Sequence, residues 1–274
     1  MSRFTTLVGC IVLIGTFAHI GEAQTAGLGI RPMRLEMDVV PGKPKTASFI
    51  IESPPSDVDV RGRLLLSLSD WVIREDTTVT YHDAGTQQRS ASPWIIFSPS
   101  DVNIASGQER LVRVTANVPE GTPPGVYTSA IFVQERPPAR EPRKGERIVY
   151  FRFRYAVTLY VIVQPVSGKG EIGDFLLARD SGGMRLICQL KNTGTRHLRP
   201  SISWFLRSGA EEVIAEKNVE TTVLLPSATT REILQIPTLP PGEYEIEAQV
   251  DFHDGQPLQT IRRKVDVAPL SASQ

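Results

Sequence analysis

Apolar and polar residues alternate along much of the chain, and the period is two rather than the 3.6 of a helix. Thr46–Glu52, Gly62–Ser69, Glu109–Val118 and Val126–Gln134 read as strands, rich in Val, Ile, Phe and Thr and bounded by Pro-Gly, Ser-Pro or Ser-Gly turns. Pro165-Val-Ser-Gly-Lys-Gly170 interrupts the pattern as a linker. Beyond it Arg185–Lys191, Ser201–Arg207, Thr221–Leu225, Arg231–Gln235, Tyr244–Phe252 and Thr260–Val267 supply a second set of strands. No stretch outside the N-terminal apolar segment repeats apolar residues at i, i+3, i+4 and i+7. One segment differs in length. From Val149 to Val163 every odd position is apolar or aromatic (Val149, Phe151, Phe153, Tyr155, Val157, Leu159, Val161, Val163), whereas Arg152, Arg154 and Thr158 fall on even ones. Such a run extends ~50 Å at ~3.3 Å per residue, far beyond the usual strand of ~5–6 residues.

Two sets of short, evenly punctuated strands predict an all-β protein of two antiparallel β-sandwiches in tandem. An internal echo supports their kinship: Pro123-Pro124-Gly125-Val126-Tyr127 recurs as Pro240-Pro241-Gly242-Glu243-Tyr244. In immunoglobulin-like sandwiches a Tyr at the start of strand F ties its hydroxyl back to the preceding connection, and both copies are expected to make this corner. Cys188 lies mid-strand with no partner implied and reads as a small core residue; Trp204 resembles the buried Trp of strand C. The expected division is a signal peptide over 1–23, a first immunoglobulin-like domain over 24–166 with a long loop at 135–147, and a second over 167–274.

The N-terminus reads as an export signal. Arg3 precedes a mostly apolar run, Leu7 to Ile20, and Gly21-Glu22-Ala23 offers small residues where a signal peptidase cuts, after Ala23. The run is shorter than the ~20 residues a membrane span needs, and the later chain shows no apolar stretch long enough to anchor it. The expected location is therefore the periplasm or the cell exterior, with no transmembrane anchor in the mature chain.

Charge and motif content then narrow the function. With 30 basic and 30 acidic residues the formal net charge is zero, which argues against nucleic acid as a partner. Gly168-Lys-Gly170-Glu-Ile-Gly173 spells GxGxxG, but Asp174–Asp180 runs straight into Ser181-Gly182-Gly183, leaving no room for the helix a dinucleotide site requires. It reads as a linker. His82, His197 and His253 form no ligand-spaced pair and read as loop or surface residues, so no metal site is expected. Neither a nucleophile elbow nor a phosphate loop occurs. The sequence implies no enzyme, no cofactor and no metal.

The Pro-rich loop Glu135–Arg147 leads into the long half-apolar strand, and from Gln134 to Arg154 there are seven basic and three acidic residues. A signal peptide, a sandwich with a long loop feeding an overlong strand, and then a second sandwich resemble the periplasmic pilus (fimbrial) chaperone family. That resemblance implies strand addition to an exported pilin-like or surface subunit, with Val149, Phe151, Phe153 and Tyr155 as the donated face. The family grips a subunit's terminal carboxylate with an Arg and a Lys. Here Arg34, Arg152 and Arg154 are the candidates, and Tyr160 stands at the expected Lys position. The alternative is that Val157–Val163, or the whole odd face, packs in the domain's own core.

A second likeness is carried by Ser92-Pro-Trp-Ile-Ile-Phe-Ser-Pro99, Ile104-Ala-Ser-Gly107, Val118-Pro119 and Pro124-Gly125-Val126-Tyr127. These resemble the peptidoglycan-binding domain of WxL-interacting surface proteins and imply peptidoglycan or a surface protein as partner. Exposed strand edges also allow a self-paired homodimer.

Overall fold

The computed structural model of the protein describes residues 28–55, 62–136, 153–180, 183–208 and 213–268. Two immunoglobulin-like sandwiches account for its strands. The first holds β1 (Gly29–Arg31), β2 (Arg34–Val39), β3 (Lys45–Glu52), β4 (Gly62–Ile73), β5 (Val79–Asp83), β6 (Ile95–Ser98), β7 (Asp101–Ile104), β8 (Glu109–Ala116), β9 (Gly125–Glu135) and β10 (Arg154–Val163). One sheet runs β1-β3-β8-β6. The other runs β2-β10-β9-β4-β5, with β7 pairing β4. The second sandwich holds β11 (Gly170–Asp180), β12 (Gly183–Asn192), β13 (Ser201–Ser208), β14 (Val213–Glu220), β15 (Thr229–Ile236), β16 (Gly242–Asp251) and β17 (Gln259–Val267), in sheets β11-β12-β15 and β14-β13-β16-β17. Among the described strands all pairs are antiparallel except β2 with β10, which is parallel.

Alternation explains which face each strand buries. Along β2 the buried positions are Leu35, Met37 and Val39, with Arg34, Glu36 and Asp38 on the outer face. Leu35, Met37, Phe49, Leu64, Val112, Ile131, Leu159 and Val161 meet in the first core. Phe175, Leu186, Cys188, Trp204, Ile246 and Val250 meet in the second. Strand β9 is buried on both faces: Tyr127, Ile131 and Val133 face the core, while Val126 and Ala130 pack with Trp71, Tyr160 and Ile162 on the opposite side.

Both tyrosine corners form. The Tyr127 hydroxyl donates to the Pro123 carbonyl at 3.0 Å and the Tyr244 hydroxyl to the Pro240 carbonyl at 2.9 Å. Cys188 is a free thiol in the second core, and burial pushes its pKa up to about 12.

Several expectations require correction. Residues Gly170–Gly173 are not linker, because strand β11 starts at Gly170 and runs through Asp174–Asp180. Its glycines reflect close packing: a Cβ on Gly170 would strike the Phe252 ring, and one on Gly173 would crowd Gln189. The strand expected at Thr221–Leu225 is instead β14, with only Leu224 bridging to Leu198. His197 is buried rather than exposed, at 6%. The long strand is described from Arg154, and residues 137–152 lie outside the described set.

Candidate functional site

One strand of the first sandwich is only half covered. The segment entering the fold pairs with β3 of one sheet over Gly29–Arg31 and with β10 of the other over Arg34–Val39. Serving two sheets, it reaches β10 only from Thr158 to Val163. The Thr158 amide donates to the Met33 carbonyl at 2.9 Å, so even-numbered backbone groups of β10 face this side. By the same alternation the N–H and C=O of Arg154 and Ala156 point to an edge along which no described strand is paired. On the other side β10 is fully laddered to β9, from Arg154↔Gln134 to Val163↔Gly125.

Exposure grades along the odd face of this strand. Val157, Leu159, Val161 and Val163 are buried in the first core. Tyr155 is half-buried at its margin, its hydroxyl accepting from the Leu28 amide at 3.2 Å. Phe153 is 50% exposed and stacks on Tyr155 with ring centroids 6.5 Å apart. The apolar face thus leaves its own core at about Tyr155. On the even face Arg154 covers Phe132 at 4.1 Å, and Tyr81 packs against the same ring at 4.8 Å.

The second region is the junction between the sandwiches. Trp71, Tyr160 and Ile162 cluster with Val166, Val223 and Leu225. Gly194 lets the backbone at Ser167–Lys169 pass so closely that a Cβ there would collide with the Ser167 carbonyl. At one margin the Glu75 carbonyl accepts the Arg231 amide at 2.8 Å and its carboxylate lies 3.5 Å from the Arg231 guanidinium. At the other, Glu36 of β2 gathers two guanidinium groups and an imidazole on a single oxygen. Arg199 Nη2 lies 3.1 Å from Glu36 Oε1, Arg34 Nε 3.3 Å and His197 Nε2 3.4 Å.

Burial works to raise the Glu36 pKa, but the hydrogen bonds and charges of Arg199 and His197 outweigh it and hold the carboxyl below its usual value. Burial dominates at His197 and keeps the imidazole below its ordinary pKa, against the pull of Glu36. The His197 ring packs on Tyr160 at 4.7 Å, and Arg199 lies 5.2 Å over the same phenol. Burial likewise pushes the Tyr160 pKa up, with Arg199 opposing. An open cleft of about 630 Å³ adjoins this cluster, lined in part by Glu36, Arg196, His197, Arg199, His253 and Asp254.

The residues singled out from sequence are dispersed. Val149, Phe151 and Arg152 lie outside the described residues. Phe153 and Tyr155 lie together at the open edge. Arg34 and Arg154 share the outer face of one sheet but are not brought together: Arg34 is opposite Thr158, four residues or ~13 Å along β10 from Arg154. Sequence reasoning missed Glu36, His197 and Arg199. The alternation in Arg34-Leu35-Glu36-Met37-Asp38-Val39 marks a strand with a charged outer face, and that signal could have placed Glu36.

Two immunoglobulin-like sandwiches joined at a charged junction, with one strand of the first half-paired, define the class of this protein. No family model matches the chain, and no curated protein matches its sequence. Among solved structures it is similar to the YadV chaperone, with 10% identity over 88% of this chain and 99% of that one, at a TM-score of 0.49. It is also similar to the class 5 fimbriae chaperone CfaA, with 10% identity over 89% and 100% and a TM-score of 0.48. A third is the CsuC–CsuE chaperone–tip subunit pre-assembly complex of Csu pili from Acinetobacter baumannii, with 17% identity over 86% and 98% and a TM-score of 0.47.

Proposed function

We propose that this protein is an exported chaperone that captures a pilin-like or surface subunit by β-strand addition along the open edge of β10. The observation that carries the reading is the half-paired strand itself. Arg154 and Ala156 offer backbone donors and acceptors to a partner strand, and Phe153 and Tyr155 carry an apolar face that emerges from the protein's own core. Backbone pairing gives such a contact its affinity, and the alternate side chains give it selectivity. Val157, Leu159, Val161 and Val163 belong to the first core, so the donated face is assigned to Tyr155 and the residues before it. The remaining assignments follow from the sequence: cleavage after Ala23, work in the periplasm or outside the cell, and two domains divided between residues 166 and 167.

The test uses the mature protein as bait on its own envelope fraction. Phe153→Ser should lose the retained subunit while its unfolding midpoint stays near wild type. Equal retention by the variant, or wild-type retention of peptidoglycan without any protein subunit, would overturn the proposal.

A further inference from the structure

The second sandwich also ends a sheet on an open edge. Strand β15 pairs with β12 alone among the described strands. Where the two meet, the Asn192 amide donates to the Ala228 carbonyl at 3.0 Å, so even-numbered backbone groups of β15 face β12 and odd-numbered ones face outward. The outward Arg231 amide is taken by the Glu75 carbonyl at 2.8 Å. Beyond it Ile233 and Gln235 present donors and acceptors to an edge along which no described strand is paired. The outer face there is apolar. Leu176, Ile187 and Ile233 stand in register across β11, β12 and β15, and Ile233 is 50% exposed. By backbone and outer face, β15 is as open to an added strand as the start of β10.

The inner face differs. Thr230, Glu232, Leu234 and Ile236 alternate toward the second core, and Glu232 stands opposite the fully buried Cys188. Glu232 Oε1 is buried with no hydrogen-bond partner among the described residues. Burial pushes the Glu232 pKa up, and its charge adds to burial in raising that of Cys188. A carboxyl left unsatisfied on an apolar face costs stability, and such a group needs a reason. Inward-facing charge is one means by which a sheet edge resists pairing with another chain. A strand added at Ile233 and Gln235 would lay an inner side chain on Glu232 and remove the water that still reaches this half-buried residue. Edge strand β17 repeats the device with the opposite sign: Arg263 stands between Ile261 and Val265, which pack on the core, and is opposite Ile246. At the open end of β10 the same inner positions hold Phe153 and Tyr155, and neither is charged.

We propose that Glu232 closes the β15 edge to strand addition and so confines a partner to β10. The choice of edge rests on the strand-addition reading, whereas the closure of β15 stands on the second sandwich alone.

The test offers an alternating Val/Thr peptide to the mature protein and reads amide hydrogen exchange at both edges, with and without peptide. In wild type, saturating peptide should leave the Ile233 and Gln235 amides at their free rates. In Glu232→Val the same two amides should slow by at least about tenfold on adding peptide, the equivalent of one hydrogen bond. Glu232→Leu serves where the valine variant fails to fold. Peptide-dependent protection of Ile233 and Gln235 in wild type overturns the proposal, and so does its absence from both Glu232 variants. Protection of Ile233 and Gln235 in a Glu232 variant, with none at Arg154 and Ala156 in any of the proteins, upholds the closure of β15 and counts against capture on β10.

Discussion

Replacing Ala156 by proline separates the two sides of β10. The Ala156 N–H faces the open edge, where it has no ladder partner among the described strands, so proline removes no hydrogen bond from the folded protein. Proline is tolerated on edge strands when its missing donor faces outward, and the extended backbone it imposes on the preceding residue is already that of Tyr155. The free protein should therefore keep its stability within about 1 kcal/mol. A partner strand loses more. It forfeits the bond from Ala156, and its own carbonyl is left unpaired in the contact, a cost of about 1–3 kcal/mol. At 1.4 kcal/mol per decade this is a loss of roughly 5- to 150-fold in affinity. Tyr155→Pro is the control, because the Tyr155 N–H faces β9; that substitution removes a ladder hydrogen bond and leaves the facing carbonyl unpaired, and should destabilise the fold itself by about 1–3 kcal/mol. Urea denaturation and subunit capture on the same preparations read both effects. If Ala156→Pro binds the subunit as tightly as wild type, the partner does not pair with this edge and the reasoning fails.

Further outcomes follow from the cores and the junction. Tyr127→Phe and Tyr244→Phe should each cost about 0.5–1.5 kcal/mol in denaturant unfolding, the net worth of one hydrogen bond; no change in either would remove the corner from the account. Cys188, with its thiol pushed up to about 12, should react with a thiol reagent only on unfolding, and rapid labelling of the native protein would contradict its burial. The folded state lowers the pKa of His197 below 6.5, so the unfolded chain takes up that proton first. Stability should therefore fall as pH drops below 6.5, and levels off once the folded pKa is passed. Glu36, also lowered, adds a second loss as pH falls below 4.5 and through its folded value. His197→Phe, which keeps a ring on Tyr160, should flatten the first loss; an unchanged stability profile between pH 7.5 and 5.5 would refute the assignment.

Much of the scaffold was legible because alternation and turns are local signals. The Pro-Pro-Gly-x-Tyr repeat located both corners, and Ser201–Arg207 and Val126–Gln134 lie within β13 and β9. Short strands such as β5, β6 and β7 escaped notice because four or five residues carry too little pattern. The glycines of β11 misled for a different reason: their demand is set by Phe252 and Gln189, distant in sequence. The candidate site was legible only where it is a single strand, at Phe153 and Tyr155. The burial of Val157–Val163 depends on where the strand enters the first core, which periodicity does not encode. The Glu36 cluster joins residues more than 160 positions apart, and Arg199 gives no local sign of its role.

The central claim is that a partner strand adds to β10, and amide hydrogen exchange at that edge tests it most directly. In the free protein the Arg154 and Ala156 amides should exchange faster than those of Tyr155 and Val157, which are laddered to β9. With a subunit captured, the account predicts that Arg154 and Ala156 become protected together while the outer faces of the second sandwich do not change. A captured subunit that leaves both amides exchanging at their free rates would contradict it.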